Sequence, residues 1–128
     1  MTPPARRRRS SQRIVPRVKV WIEIDGTYVF GRGISDILKA VDQAGSIKQA
    51  ATKLGKSYRY VWNRVKEAER ALGASLVETH VGGKDAQRSA LTPLGHELVS
   101  EFDRLRARMD QLLAEEFPDR LSSLLRGG

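Results

Sequence analysis

Residues 46–73 read S-I-K-Q-A-A-T-K-L-G-K-S-Y-R-Y-V-W-N-R-V-K-E-A-E-R-A-L-G, and their pattern decides the fold. Ser46 is a good N-cap, and Gln49 three positions on completes a capping box. Ile47, Ala50, Ala51 and Leu54 then recur at helical spacing and give one apolar stripe. Gly55 supplies the stop, because the residue that ends a helix commonly takes a left-handed conformation that glycine adopts without strain. Ser57 caps a second helix that runs to Leu72, with Gly73 as its stop. Val61, Val65, Ala68 and Leu72 form its buried stripe, while Arg59, Asn63, Lys66 and Arg70 fall on the opposite face. A short helix, a glycine-containing turn and a longer basic helix predict a helix-turn-helix.

The chemistry of the second helix suits a duplex. A major groove accepts one α-helix, and side chains in the first turns of that helix reach the base edges. Here those turns carry Ser57, Tyr58, Arg59, Tyr60 and Asn63. Arginine can bond guanine bidentately, asparagine can do the same with adenine, and hydroxyls reach bases or phosphates. The competing reading is a solvated basic face on an ordinary core helix. Charge alone does not separate the two; the capping box, the glycine and the second cap in register favour the helix-turn-helix.

Composition bounds the rest. Lysine and arginine number 23 against 15 aspartates and glutamates in 128 residues, a net charge of +8 that favours a polyanionic partner. The chain has no cysteine, which excludes disulfides, thiolate catalysis and sulfur-ligated metals and fits a reducing cytosol. No apolar run approaches the roughly 20 residues that a membrane span needs. The arginine-rich start is not followed promptly by the hydrophobic stretch of a secretory signal. The expectation is a cytoplasmic protein with no membrane partner. No nucleophile–base pair, paired acids or metal ligands stand at usable spacing, so the chain is not expected to be an enzyme or to hold a cofactor or metal.

Residues 1–16 hold Pro3, Pro4, Pro16 and the run Arg6 to Arg9, with nothing to bury, and predict a disordered basic arm. Such an arm can lie along phosphates or enter a minor groove. Val18, Val20, Ile22 and Ile24 alternate with polar or aromatic residues up to Asp25-Gly26, the preferred pair of a tight hairpin turn. Closing that turn sets Ile22 opposite Val29 and Trp21 opposite Phe30 in a hairpin over 18–30. Gly31-Arg32-Gly33 lacks the third glycine and the βαβ setting of a dinucleotide fingerprint. Ile34, Ile37, Leu38 and Val41 then describe a support helix ending near Gly45.

Beyond Gly73, residues 75–80 and 89–92 are short strand-like runs around V-G-G-K-D-A-Q-R, which reads as a wing with Lys84 and Arg88 aimed at a nucleic-acid backbone. His80 has no second ligand at metal spacing and is read as structural. Thr92 and Pro93 open the last helix as N-cap and first helical residue. Leu98, Phe102, Leu105, Met109 and Leu112 follow in a heptad seam whose complement is expected to be a second copy of the chain; folding back on its own domain is the alternative. His96 lies off that seam.

The stretch from Gly45 to Glu69, with L-V-E-T-H-V-G-G-K and S-A-L-T-P-L-G after it, resembles the DNA-binding half of ModE-type regulators. Their winged helix is in turn similar to that of LysR-type regulators. The match covers roughly residues 18–113. Trp62 and Gly82-Gly83-Lys84 are the ModE-like signs. The resemblance implies that Ser46, Lys48, Gln49, Ser57, Tyr58, Arg59, Tyr60, Asn63 and Arg64 fall where the family touches DNA, that the wing adds Lys84, and that Trp62 packs between helices. It also implies a C-terminal oxyanion-binding barrel, for which residues 118–128 are too few, leaving open a separate sensor protein as a partner.

The expected fold is therefore α+β. A winged helix-turn-helix domain with an N-terminal β-hairpin (17–92) follows the arm (1–16) and precedes a long C-terminal dimerisation helix (93–117) and a tail (118–128). The expected function is a sequence-specific DNA-binding transcriptional regulator, a homodimer on a pseudo-palindromic site in double-stranded DNA. A sequence-neutral chromatin-type protein and a winged-helix protein-interaction module are the alternatives.

Overall fold

The computed structural model describes residues 12–82, 86–117 and 119–127. The chain begins with an antiparallel hairpin of β1 (Trp21–Ile24) and β2 (Thr27–Gly31). Asp25 and Gly26 form its turn with φ of 51° and 79°, the doubly left-handed conformation that a two-residue hairpin turn requires. The register departs from the alternation in the sequence. Glu23 faces Tyr28 and Ile22 faces Phe30, so Val29 is the extra residue of a β-bulge, and Trp21 faces Gly31. The bulge corrects the expected pairs of Ile22 with Val29 and Trp21 with Phe30. It breaks the strict alternation of faces, and both Val29 and Phe30 enter the core. Trp21 stays exposed, its Nε1 donating to Glu23 Oε2 at 2.8 Å.

The helix α1 (Arg32–Ala44) follows β2 directly and buries Ile34, Ile37, Leu38 and Val41. Then come α2 (Ile47–Leu54) and α3 (Tyr58–Leu72), with the caps read from the sequence. Ser46 Oγ accepts from Gln49 N at 3.0 Å, and Ser57 Oγ accepts from Tyr60 N at 3.1 Å. Gly55 ends α2 at φ 67°, which lets its own N–H and that of Lys56 close on carbonyls of the last turn. The stripe Ile47, Ala50, Ala51 of α2 and Val61, Val65, Ala68 of α3 is buried with α1 in one core.

Strands β3 (Val77–Gly82) and β4 (Ala86–Leu91) make the second antiparallel hairpin, paired from Val77 with Leu91 to Gly82 with Ala86. Both strands run farther toward the tip than the residues 75–80 and 89–92 of the sequence reading. Thr92 opens α4 (Pro93–Glu116): its Oγ1 donates to Ser75 O at 2.8 Å and accepts from Gly95 N at 3.1 Å. Gly95 sits so close to the wing's base that a Cβ there would stand 2.4 Å from Leu76 O. A short α5 (Asp119–Leu125) occupies the stretch read as a tail.

Residues Val20–Leu105 form one compact unit; the described part of a second takes in residues 12–19, 106–117 and 119–127. The part of α4 from Pro93 to Leu105 thus belongs to the winged-helix unit. Phe102 is only 3% exposed and meets Phe30 edge to face at 5.1 Å, and Leu98 packs against the same core. These two residues, expected in a dimer seam, instead fasten α4 to its own domain, because the hairpin offers an aromatic partner to that part of the stripe. Lys39 Nζ, 2.7 Å from Asp103 Oδ2, ties α1 to α4 beside them, and His96 Nε2 lies 3.7 Å from Asp42 Oδ1. Leu105 and Leu112, farther along the stripe, are 41% and 49% exposed, and Met109 is half-buried. Among the described residues no helix is long and apolar enough to cross a membrane, and no group of three or more His, Asp or Glu could hold a metal ion.

Candidate nucleic-acid interface

The side of α3 away from the core carries Arg59, Asn63 and Arg70, all exposed, with Tyr58 and Tyr60 exposed in its first turn. Val61 and Val65 fix the rotation of the helix by their burial, and the other residues follow from the helical repeat. Lys56 Nζ stands 5.4 Å from the centre of the Tyr60 ring, which adds a cation at the helix entrance. Ser57 accepts one hydrogen bond in the cap and keeps its hydroxyl proton to donate. The surface so formed offers a guanidinium fork, a carboxamide and phenols from one rigid helix.

A second basic surface adjoins the start of α2. Ser89 N donates to Gly45 O at 2.8 Å and draws β4 against the turn before α2. The result is an open cleft of about 490 Å³ lined by residues 44–49 and 87–89. It brings Ser46, Lys48 and Gln49 together with Arg88, which lies far along the sequence from them. Arg88 is exposed on β4 opposite His80, and His80 is itself exposed, 3.7 Å from Glu78 Oε2, rather than packed as a structural residue. Lys84 and the run Arg6 to Arg9 lie outside the described residues.

Two residues differ from the expectation. Arg64 turns toward the hairpin side: its Nη1 is 3.5 Å from Glu67 Oε2, and it lines a small recess with Tyr28, Val29 and Ile34. It stands at the edge of the buried stripe, not with Arg59 and Asn63. Trp62 is the reverse case, 40% exposed on α3 where the resemblance implied packing between helices. It follows buried Val61 by one residue, so the helical repeat carries it out of the stripe.

Sequence reasoning missed Glu69. Its side chain is 11% exposed; Oε2 accepts from Leu76 N at 2.7 Å and Val77 N at 3.2 Å, and Oε1 lies 3.3 Å from Lys66 Nζ. This carboxylate joins the recognition helix to the root of the wing. The only local sign is an acid inside a basic helix, for its backbone partners lie in the next element.

Residues 36–96 match the family model described as bacterial regulatory helix-turn-helix protein, lysR family. The chain is 36% identical over 72 residues to the molybdenum transport protein ModE of Herbaspirillum seropedicae, covering 56% of this chain and 27% of that protein. It is 35% identical over 69 residues to the DNA-binding transcriptional dual regulator ModE of Escherichia coli K12, covering 54% and 26%. The chain thus spans less than a third of the length of these relatives. In fold it is similar to the BenM DBD crystallised with benA site 1 DNA, at 24% identity and a TM-score of 0.51 over 71% of this chain and 94% of that one. The chain has a winged helix-turn-helix fold, and over that part it is similar to the lysR family model and to ModE-type regulators.

Proposed function

We propose that the chain is a sequence-specific regulator of transcription that binds double-stranded DNA as a homodimer in the cytoplasm. The observation that carries this reading is α3 itself: capped by Ser57, anchored by Val61 and Val65, and presenting Tyr58, Arg59, Tyr60 and Asn63 outward. A helix so mounted fits a major groove with its first turns against the base edges. Ser46, Lys48, Gln49 and Arg88 around the cleft serve the adjacent backbone, where cations and helix-terminal N–H groups hold phosphates. Lys84 and the arginine arm extend the same phosphate contacts. Two facts of the relatives support the reading, the transcriptional role of the Escherichia coli protein and the DNA in the BenM crystal.

Arg59→Ala is expected to weaken binding to the preferred site by about 1–3 kcal/mol and to relax base preference at one position per half-site. Titration of the wild type and the variant against a set of single-base operator changes checks this. Equal weakening on every sequence would make Arg59 a phosphate contact and favour the sequence-neutral alternative.

The dimer rests on the outer part of the α4 stripe, since Leu98 and Phe102 are committed to the core. Leu105, Met109 and Leu112 remain as its apolar contacts. Replacing both Leu105 and Leu112 with Glu is expected to give a folded monomer, because like charges would meet across a two-fold axis. It should lose far more affinity for two half-sites than for one, as tethering makes the second contact intramolecular. Sedimentation of both proteins at tens of micromolar tests this; a wild type that sediments as a monomer removes the dimer.

A further inference from the structure

Trp62 is the largest side chain that α3 exposes, and a chain of contacts leads to it. Lys66 Nζ stands over its ring, 5.7 Å from the centre. That ammonium is held 3.3 Å from Glu69 Oε1, and Glu69 is itself fixed by the backbone N–H groups of Leu76 and Val77. The brace therefore runs from the root of the wing through Glu69 and Lys66 to the indole. A solvent-facing tryptophan gains little stability from its exposed surface, yet this one is held in place by charges that are themselves held. Holding an apolar plate rigid before contact lowers the ordering cost of binding.

We infer that Trp62 is a specificity-determining residue that recognises thymine in the major groove through its 5-methyl group. The inference rests on the DNA-binding reading above. Trp62 stands one helical turn after Tyr58 and directly before Asn63, exposed in the first half of α3. Among the four bases only thymine presents an apolar group to the major groove, so an indole face distinguishes thymine there and no other base. Arg59 and Asn63 supply polar readout; Trp62 adds a hydrophobic one beside them. Lys66 is a positioning residue, whose cation fixes the ring.

The test is a scan of the selected operator in which each thymine is replaced singly by deoxyuridine, which removes the methyl and nothing else. The wild-type full chain is expected to lose about fourfold in affinity at one position per half-site, the factor that one buried carbon group carries. Trp62→Ala is expected to bind thymine and uracil equally there while keeping its Arg59-dependent preferences; Trp62→Phe should retain part of the discrimination. Lys66→Met, which keeps the stem, should bring the thymine-to-uracil ratio toward one with unchanged helix content by circular dichroism. A wild type indifferent to every uracil, or a sensitive position that persists in Trp62→Ala, overturns the inference while leaving the DNA-binding reading intact. A chain that selects no duplex at all overturns both.

Discussion

Phe102→Ala is expected to lower the free energy of unfolding by about 3–5 kcal/mol, the range for removing a buried aromatic ring. Phe102 is fully enclosed, and its edge-to-face contact with Phe30 joins α4 to the N-terminal hairpin, so the cavity left behind would open between two elements. The hairpin has few other means of attachment, since only Val29, Phe30 and the partly buried Val20 and Ile22 reach the core. Urea unfolding at a fixed chain concentration measures the effect. Leu105→Ala, one turn farther along the stripe, should instead act mainly through association and so vary with concentration. If Phe102→Ala unfolds like the wild type and only dissociates, then Phe102 belongs to an interface between copies and the core assignment is wrong.

Glu69→Ala is expected to cost about 2–3 kcal/mol, because two backbone N–H groups at the root of the wing would lose a charged acceptor in a part-buried place. The loss should be concentrated in the wing: hydrogen exchange at Leu76 and Val77 is expected to quicken more than at Val61 or Val65. Glu69→Gln keeps an acceptor oxygen and should recover part of the stability. An alanine variant as stable as the wild type, with slow exchange at Leu76, would mean that the carboxylate is incidental to the joint.

How much of this was legible in the sequence depends on how local each determinant is. The helix-turn-helix was readable because Ser46, Gln49, Gly55, Ser57 and Gly73 act within one turn of where they stand. The hairpin turn was readable for the same reason, since Asp25-Gly26 carries its conformation with it. Its register was not. Val29 and Phe30 are neighbours that the pleat would send to opposite faces, and the bulge buries both in a core that α1 shares with later elements. The stripe of α4 is visible in the sequence as apolar, and Leu98 and Phe102 in it pack on their own domain's core. A heptad spacing states that a face will be covered but not by what, and Phe30 lies far back in the chain.

The interface divides along the same line. Arg59 and Asn63 are exposed because the buried stripe of α3 fixes their direction, and that stripe is visible in the sequence. The cleft joining Lys48 to Arg88 depends on the bond from Ser89 N to Gly45 O, which no local pattern announces. Arg64 and Trp62 were assigned by resemblance, and each departs from it for a helical reason. Arg64 falls at the margin of the buried side, where Glu67 and the hairpin take it up. Trp62 falls just outside the stripe, where Lys66 stands over its ring.

The central claim is that α3 reads sequence in double-stranded DNA, and selection of bound sites from a pool of random duplexes tests it most directly. Repeated rounds with the full chain at near-physiological salt are expected to enrich one half-site, repeated in inverted orientation with centres about one helical turn apart or a multiple of that. The same selection with Arg59→Ala should return the site with one position per half relaxed. A pool that stays random while binding falls steeply with salt would mean that the basic surfaces hold phosphates alone. A pool that is never retained would mean that this winged helix serves a partner other than DNA.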